Sequence, residues 1–466
     1  RHREGSGGAG SAYTSAPQPD LPDSLQVLLA ARIDSLPAAA KRTLMEASVS
    51  GRAFWSGPLA ASLGKAEVSG PLDELERRGF IVGRPVSTLA GQEEFIFNHA
   101  LLREVAYASL PRLRRLHAHS ALGHWLEELA AERREEVAEL LAFHFSAALG
   151  EERDWDAARR EQIRAKAFGY LLLAGTLARK QDAGEKAIEL HSSALRLTVE
   201  PAERLRAVEE LGDDHDSAFL GDAALALYEE AIGLAGSNSA AMARLCWKAA
   251  RTMAMTPGSF GANPDPLRAE RLIAEGLSRA PDGLARARLL VVRGAVARLF
   301  RGSEPFGQGE RADPVPIEER ITAVTEAMDL AQAGAQPELL ASARSALGIL
   351  YGVAGRYDQM EELAKAELED MDDSLSSFEQ ADIVRRVAVN AINISGAFVE
   401  GLALARRCHR LSRDGNPHQI MHATWPILVA LYQLGSWQAM EPLLDEHLAA
   451  FTQHPAHQVH FVRYGP

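Results

Sequence analysis

Apolar positions along the chain follow two different periods. Before about residue 110, helical stretches with apolar faces give way to two short strand-like runs, Phe80–Val82 and Glu94–Phe97. Alternation of apolar and polar residues is typical of β-strands, and the polar stretch at 84–92 between the runs predicts a β-hairpin. From Leu116 onward no strand pattern is convincing, and the apolar spacing predicts helices to the end of the chain.

Helical segments precede the hairpin. They begin near Asp23 or Ser24, Pro37, Pro58 and Val68. Capping residues and a proline near the first helical position are typical helix starts, and a glycine such as Gly79 is a typical helix end. The first helix carries its predicted apolar face on Leu25, Leu28, Leu29 and Ile33.

The stretch Gly51–Trp55 predicts a turn whose two aromatic side chains pack between helices. Three or four helices followed by a two-stranded hairpin is the element order of a winged helix. We place this domain at about 22–110.

A joint between the two parts of the chain lies at Phe95–His119. The strand turns at Asn98 and His99 into a helix that ends before Pro111, because proline cannot continue a helix. A basic, histidine-containing helix follows. In the first of these helices the apolar stripe is Leu101, Leu102, Val105 and Ala106, with Arg103 and Glu104 facing outward.

Paired helices recur after the joint, connected by turns that contain a glycine. Gly355, Gly396 and Gly435 are 41 and 39 residues apart, and upstream Gly184 and Gly221 are 37 residues apart. Helix–turn–helix units with a period of roughly 34–42 residues are typical of a tetratricopeptide-like solenoid.

The predicted fold class is therefore mainly α, a small winged-helix domain of helices plus a β-hairpin followed by a tetratricopeptide-like α-solenoid. We predict a flexible linker at 1–21, a winged-helix-like domain at 22–115 and a helical repeat array at 116–466. Insertions rich in glycine and proline at 257–266 and 302–316 are expected as loops on one face.

Composition and charge narrow the partners. The 466-residue chain has 6% aromatic residues and a net charge of −13, which argues against nucleic acid and anionic membranes as partners. Cys246 and Cys408 are too few and too far apart for a disulfide framework. Without an apolar run long enough for a membrane span or a signal peptide, we expect a cytoplasmic protein. We also expect a fragment of a longer polypeptide, continuing beyond both Arg1 and Pro466.

Motifs for catalysis are absent from the sequence. It contains neither a G-x-x-x-x-G-K-[ST] phosphate loop nor a G-x-S-x-G nucleophile motif. We therefore expect no enzymatic activity, catalytic residue or cofactor in this chain. Acidic pairs are interpreted as solvated helix faces. They are Glu127/Glu128, Glu135/Glu136, Asp213/Asp214 and Asp372/Asp373.

The histidines do not predict a metal site. His454, His457 and His460 have helical spacing, but Pro455 interrupts the group and no carboxylate lies at a ligating offset. His117 and His119 face opposite sides of one helix and cannot share a ligand. We expect His117 to pack or cap.

His99 is the one candidate binding residue. It lies at the start of a helix, where the helix dipole favours anions and a histidine can donate to a phosphate or carboxylate. The alternative is that His99 caps the helix or packs under the hairpin.

The residues at about 66–78 would enter the DNA groove in a DNA-binding winged helix. They carry Glu67, Asp73, Glu74 and Glu76 against Arg77 and Arg78. Acidic residues repel phosphates, so we do not expect DNA binding through this chain.

Three segments, at 21–55, 72–82 and 95–127, carry a resemblance to a known family. They read LPDSLQVLLAARIDSLPAAAKRTLMEASVSGRAFW, LDELERRGFIV and FIFNHALLREVAYASLPRLRRLHAHSALGHWLE. In this order they resemble the region just after the ATPase domain of bacterial STAND-type AAA ATPases. Those proteins are fused to class III adenylate/guanylate cyclase domains or to LuxR-type DNA-binding domains. The match covers about 21–145, and beyond it only the repeat pattern is similar.

The resemblance implies a regulatory and protein-interaction fragment of a signal-transduction ATPase or adenylate cyclase. The winged helix would restrain an upstream ATP-binding domain, with ATP or ADP bound there and not in this chain. His99 would match the histidine that contacts the nucleotide in this family. The repeats would bind a protein or small-molecule inducer. The alternative is a LuxR-type transcription regulator whose DNA-binding domain lies outside this chain.

Overall fold

The computed structural model describes residues 23–89, 91–300, 312–371, 375–413 and 417–452. The predicted linker at 1–21, the histidines at 454, 457 and 460, and the acidic pair at 372/373 lie outside these residues. The chain divides into two compact units, one ending at Thr198 and the other beginning at Val199.

Unit 1 contains nine α-helices and a small sheet within its described residues. The helices are α1 Asp23–Asp34, α2 Ala38–Ala47, α3 Ser56–Leu63, α4 Ser69–Arg77, α5 Ala100–Ser109, α6 Arg112–Ala130, α7 Ala138–Ala148, α8 Ala157–Lys180 and α9 Gly184–Arg196. The strands are β1 Ala53–Trp55, β2 Ile81–Gly83 and β3 Glu94–Phe97. Short 3-10 helices cover Ser48–Ser50, Lys65–Glu67, Ala131–Val137 and Glu152–Asp154.

The sheet has the antiparallel strand order β1-β3-β2, so the predicted hairpin is present and gains a third strand. The prediction of a turn at Gly51–Trp55 was wrong for its second half, because Ala53–Trp55 pairs with the outer edge of β3. Phe54 is fully buried against the rings of Phe95 and Phe97, at 5.6 and 5.4 Å between centroids. A three-residue strand is too short to show alternation, so only pairing with β3 reveals it.

The predicted apolar face of α1 was partly wrong. Ile33 is buried, whereas Leu25 and Leu28 are 39% and 66% exposed. Leu25 and Leu28 are exposed because residues of other elements fill the core next to α1, among them Leu44, Leu75 and Leu102. The helices predicted near Pro37, Pro58 and Val68 are present as α2, α3 and α4.

Unit 2 is helical throughout its described residues. Its helices are α10 Pro201–Ser217, α11 Gly221–Ala235, α12 Ser239–Met255, α13 Pro266–Arg279, α14 Gly283–Ala295, α15 Ala297–Phe300, α16 Ile317–Ala333, α17 Pro337–Val353, α18 Tyr357–Asp370, α19 Ser377–Asn393, α20 Phe398–Leu411, α21 Pro417–Gln433 and α22 Glu441–Thr452. Short 3-10 helices cover Pro257–Ser259 and Trp437–Ala439. Successive helices pack on one another, which gives the mainly α, paired-helix fold class that the sequence predicts.

The turns between paired helices share one backbone conformation. Gly355, Gly396 and Gly435 have φ between 65° and 72°, and the next helix begins two residues later. After Gly355, the Arg356 N–H closes the turn by donating to the Tyr351 carbonyl at 2.8 Å. This is the Schellman arrangement that ends many helices.

The upstream glycines play a different part from the one predicted. Asp182 and Phe219 occupy the positive-φ position, while Gly184 and Gly221 are the first residues of α9 and α11. Gly221 is needed for close packing, because a Cβ there would lie 2.3 Å from the Ser259 hydroxyl oxygen.

The insertion predicted at 257–266 is packed against the helices. Phe260 is buried, and the Gly261 N–H donates to Asp222 at 2.8 Å. Of the insertion predicted at 302–316, only residues 312–316 are described, and Asp313 there binds the fully buried guanidinium of Arg320. None of the helices in the described part of the chain is long and apolar enough to cross a membrane.

We expect alanine substitutions at two glycines of unit 2 to have opposite effects. Both sites have open space around the added methyl group. Gly355→Ala should lower the free energy of unfolding by about 1 kcal/mol, because φ is +72° there. Gly348→Ala, inside α17, should raise it by up to about 1 kcal/mol. Chemical denaturation monitored by circular dichroism measures both, and effects of the same sign would contradict the assigned turn.

Candidate functional site

His99 is exposed at the N-cap position of α5, directly after β3. Its backbone carbonyl accepts from Leu102 N–H at 3.1 Å, and its side chain makes no capping hydrogen bond. The His99 imidazole therefore neither caps α5 nor packs under the hairpin, the two structural roles that were the alternative to ligand binding. The residue before it, Asn98, fixes the turn by donating to the Gly79 carbonyl at 2.6 Å.

Arg103 and Arg115, two of the basic residues around the joint, are half-buried and contact the fold. Arg103, predicted to face outward, donates to the Ser48 carbonyl at 3.2 Å and lies over the Tyr107 ring. Arg115 covers the same ring and donates to the Leu110 carbonyl at 3.1 Å. The outward prediction for Arg103 was wrong because guanidinium groups can reach back from a helix to unpaired carbonyls.

Arg112 anchors the start of α6 to the turn before α8. Its guanidinium donates to both carboxylate oxygens of Asp154, at 3.0 and 2.6 Å. Asp154 also accepts from the Glu151 backbone N–H. This backbone bond and the Arg112 contact hold the pKa of Asp154 below its usual value.

A buried pair of histidines joins the helices behind the joint, and the sequence analysis missed it. His119 of α6 lies between Tyr107 of α5 and His144 of α7. Its Nε2 is 3.0 Å from the Tyr107 hydroxyl and its Nδ1 is 2.9 Å from His144 Nδ1. Both imidazoles are almost fully buried. The pairing spans 25 residues, so no spacing rule within one helix could have predicted it.

Both imidazoles are neutral at physiological pH. Burial, with the neighbouring charges of Arg115 and Arg103, lowers the pKa of His119 to about 4. Burial, and then His119 itself, lowers the pKa of His144 well below its usual value. One Nδ1 must donate to the other, so protonating both rings would break the bond between them.

Ionisable groups elsewhere are engaged in pairs more often than predicted. Glu127, interpreted as solvated, binds Lys166 and the Tyr170 hydroxyl, and Asp213 accepts from Tyr228 at 2.9 Å. Exposed carboxylates remain at Glu128, Glu135 and Glu136. Among the described residues, no cluster of histidine, cysteine and acidic side chains could hold a metal ion.

The two arginines at the end of α4 share one carboxylate partner. Glu74 binds both Arg77 and Arg78, and these two hydrogen bonds hold its pKa below the usual value. The helix predicted to be a poor DNA reader therefore has its two cations already occupied.

Exposed apolar side chains recur near the turns of the last helix pairs. Tyr357 and Trp437 each stand two residues after a positive-φ glycine, and they are 50% and 67% exposed. Val399, three residues after Gly396, is 74% exposed. Aromatic side chains at the surface are the residue type enriched in protein interfaces. We call Tyr357, Val399 and Trp437 the turn row.

Comparisons with known proteins find similarity to solved structures only. No family model and no curated protein matches it. Among solved structures, a STAND protein with a tetratricopeptide repeat sensor from Pyrococcus horikoshii is 13% identical, with a TM-score of 0.39. The match covers 93% of this chain and 66% of that one.

Two other solved structures are similar at a comparable level. Naa15/Naa10 bound to HypK-THB is 16% identical over 93% of this chain and 71% of that one, with a TM-score of 0.28. The P58(IPK) TPR domain is 12% identical over 74% of this chain and 92% of that one, with a TM-score of 0.18. At these TM-scores the structural similarity says nothing about the activity of the chain.

We expect the stability of unit 1 to fall between pH 7.5 and pH 5 through His119. Its folded pKa lies below the unfolded value, so its stabilisation is fully present above about pH 6.5 and is lost as the pH falls toward 4. The loss at pH 5 should be about 2 kcal/mol. The difference in unfolding free energy between the two pH values should shrink by about that amount in His119→Gln.

The matched control is His117→Gln on the same helix, because His117 is exposed and packs on Trp155 as predicted. Its pH dependence should equal that of the unsubstituted chain. Equal pH dependence in His119→Gln would contradict the assignment.

Proposed function

We propose that this chain is a regulatory and protein-interaction module of a larger signal-transduction ATPase of the STAND type. Unit 1 would restrain a nucleotide-binding domain, and unit 2 would bind a protein or small-molecule inducer. The observation that carries the proposal is the exposed, uncapped His99 at the start of α5.

Two features of His99 support a contact with a nucleotide. The first-turn N–H groups and the dipole of α5 favour a negative charge at its start. The imidazole is exposed and is not used by a capping bond, so it can donate to a phosphate. The nucleotide itself would be ATP or ADP held by a domain outside this chain.

The rigid connection behind His99 supports transmission from the repeats. Tyr107 on α5 bonds His119 on α6, which bonds His144 on α7. A shift of α7 would therefore move α5 and the imidazole at its start.

Adenylate or guanylate cyclase is the effector that we propose for the larger protein, because the sequence resemblance is to cyclase-fused ATPases. A LuxR-type effector is the alternative. DNA contact by unit 1 itself is disfavoured, because Arg77 and Arg78 already bind Glu74.

We expect His99→Ala to weaken ADP binding by about tenfold in the longer polypeptide that includes the nucleotide-binding domain. A hydrogen bond to a charged phosphate contributes about 1.5–3 kcal/mol, and about 1.4 kcal/mol corresponds to tenfold in affinity. Isothermal titration calorimetry measures the change. His215→Ala, at a histidine of α10 in unit 2, is the control and should bind ADP normally. Unchanged ADP affinity together with unchanged basal activity in His99→Ala would refute the sensing role.

The turn row is the surface of unit 2 that we expect to contact a partner. Replacing Tyr357 and Trp437 by serine should abolish inducer-dependent activation without lowering the helix content. Val86→Ser, at an apolar residue of the hairpin loop that is 79% exposed, is the matched control. Activity assays of the longer protein with each inducer measure the effect, and full activation of the double variant would exclude this surface.

A further inference from the structure

A cleft in unit 1 has the size and lining of a small-molecule site. Its volume is about 590 Å³, within the range of roughly 300–1,000 Å³ of ligand pockets. The elements that line it are α3, α6 and the start of α8. The polar and aromatic residues in its lining are Ser62, Arg114, His117, Ser120, Trp155 and Arg159.

Aromatic rings form one wall of the cleft. The Trp155 indole is fixed, because its Nε1–H donates to the Ala148 carbonyl at 2.9 Å. The His117 ring lies against it with 4.3 Å between centroids. Leu113, 49% exposed, adds an apolar edge. A flat ligand ring could stack here at little entropic cost, since the indole is already held.

Guanidinium groups give the cleft an excess of positive charge. Arg159 donates to neutral partners, the Gln162 amide oxygen at 2.9 Å and the Ser120 hydroxyl at 3.4 Å. Arg114 forms an ion pair with the buried Glu46 carboxylate at 3.9 Å, and Glu46 accepts from the Ser62 hydroxyl at 2.7 Å, so the two guanidinium groups exceed this carboxylate by one positive charge. Within the described part of the chain, no carboxylate hydrogen-bonds either guanidinium.

The positions of these arginines along their helices strengthen the same field. Arg114 is the third residue of α6 and Arg159 the third residue of α8. The N-terminal end of a helix carries a partial positive charge, so a cation in the first turn is unfavourable unless an anion joins it. The start of α8 already carries the Asp156 carboxylate, which accepts from the Arg159 N–H at 2.9 Å, whereas the start of α6 at Arg112 has no side-chain cap.

We propose that this cleft binds a small organic anion with an aromatic ring. The carboxylate or phosphate lies between Arg114 and Arg159, and the ring packs against Trp155 and His117. Because the ligand would touch α3, α6 and α8 at once, its binding stabilises unit 1. The proposal does not rest on the role of His99.

Calorimetry on the full chain with four probes tests the proposal. Adenosine 5′-monophosphate and indole-3-acetate combine a ring with an anion, whereas adenosine and inorganic phosphate each supply only one part. At least one of the two combined probes should bind, about tenfold or more tighter than either part alone. Binding of only inorganic phosphate would overturn the role of the ring.

Variants locate the site. Arg114→Gln and Arg159→Gln should each weaken the combined probe about tenfold, and Arg159→Lys should weaken it less because the charge remains. Arg133→Gln is the control, since Arg133 is 73% exposed and pairs only loosely with Glu136 at 3.6 Å. Circular dichroism melting checks that each variant folds. No binding by either combined probe at millimolar concentration, or equal loss in Arg133→Gln, would refute the proposal.

Discussion

The hydrogen bonds of His119 join three helices of unit 1, namely α5, α6 and α7. This one imidazole bonds Tyr107 on α5 and His144 on α7 while lying in the buried face of α6. Both nitrogens of His119 are paired in this way, and leaving a buried donor or acceptor unpaired costs about 1–3 kcal/mol. The three helices are therefore held in one relative position by a polar contact that tolerates little displacement.

Both proposed sites of unit 1 include residues of these helices. His99 starts α5, and Arg114 and His117 belong to α6. The predicted domain boundary at 115/116 falls inside α6, whose first turn carries Arg112 on Asp154. An anion bound in the cleft would reinforce the start of α6 against α8, and the His119 contacts would pass that restraint to α5. Ligand binding in the proposed cleft would therefore be coupled to the position of His99.

Unit 2 is built in a different way. Its successive helices pack on one another, and ion pairs connect some of them. Arg320 is completely buried and satisfies its guanidinium with Asp313 at 2.6 Å and Glu270 at 2.7 Å. Glu209 binds Arg244 and Lys248, and these contacts outweigh burial and lower its pKa to about 2. Removing one partner of such a pair leaves a buried charge and costs about 3–5 kcal/mol. The Arg320–Glu270 pair joins α16 to α13, and the pairs of Glu209 join α10 to α12.

The sequence by itself determined the features that depend on near neighbours. Helix starts, the Gly355 turn, the hairpin and the place of His99 before α5 all follow from local backbone chemistry, and the structure has each of them. The role of His99 as a nucleotide contact stays a prediction. Only the tertiary structure decided which groups distant in sequence meet. In the tertiary structure β1 pairs with β3, and Leu28 is exposed to solvent. His119 contacts His144, and Arg114 and Arg159 line one cleft. The physical reason is that burial and hydrogen bonding depend on distance in space, and the packing of α6 sets those distances.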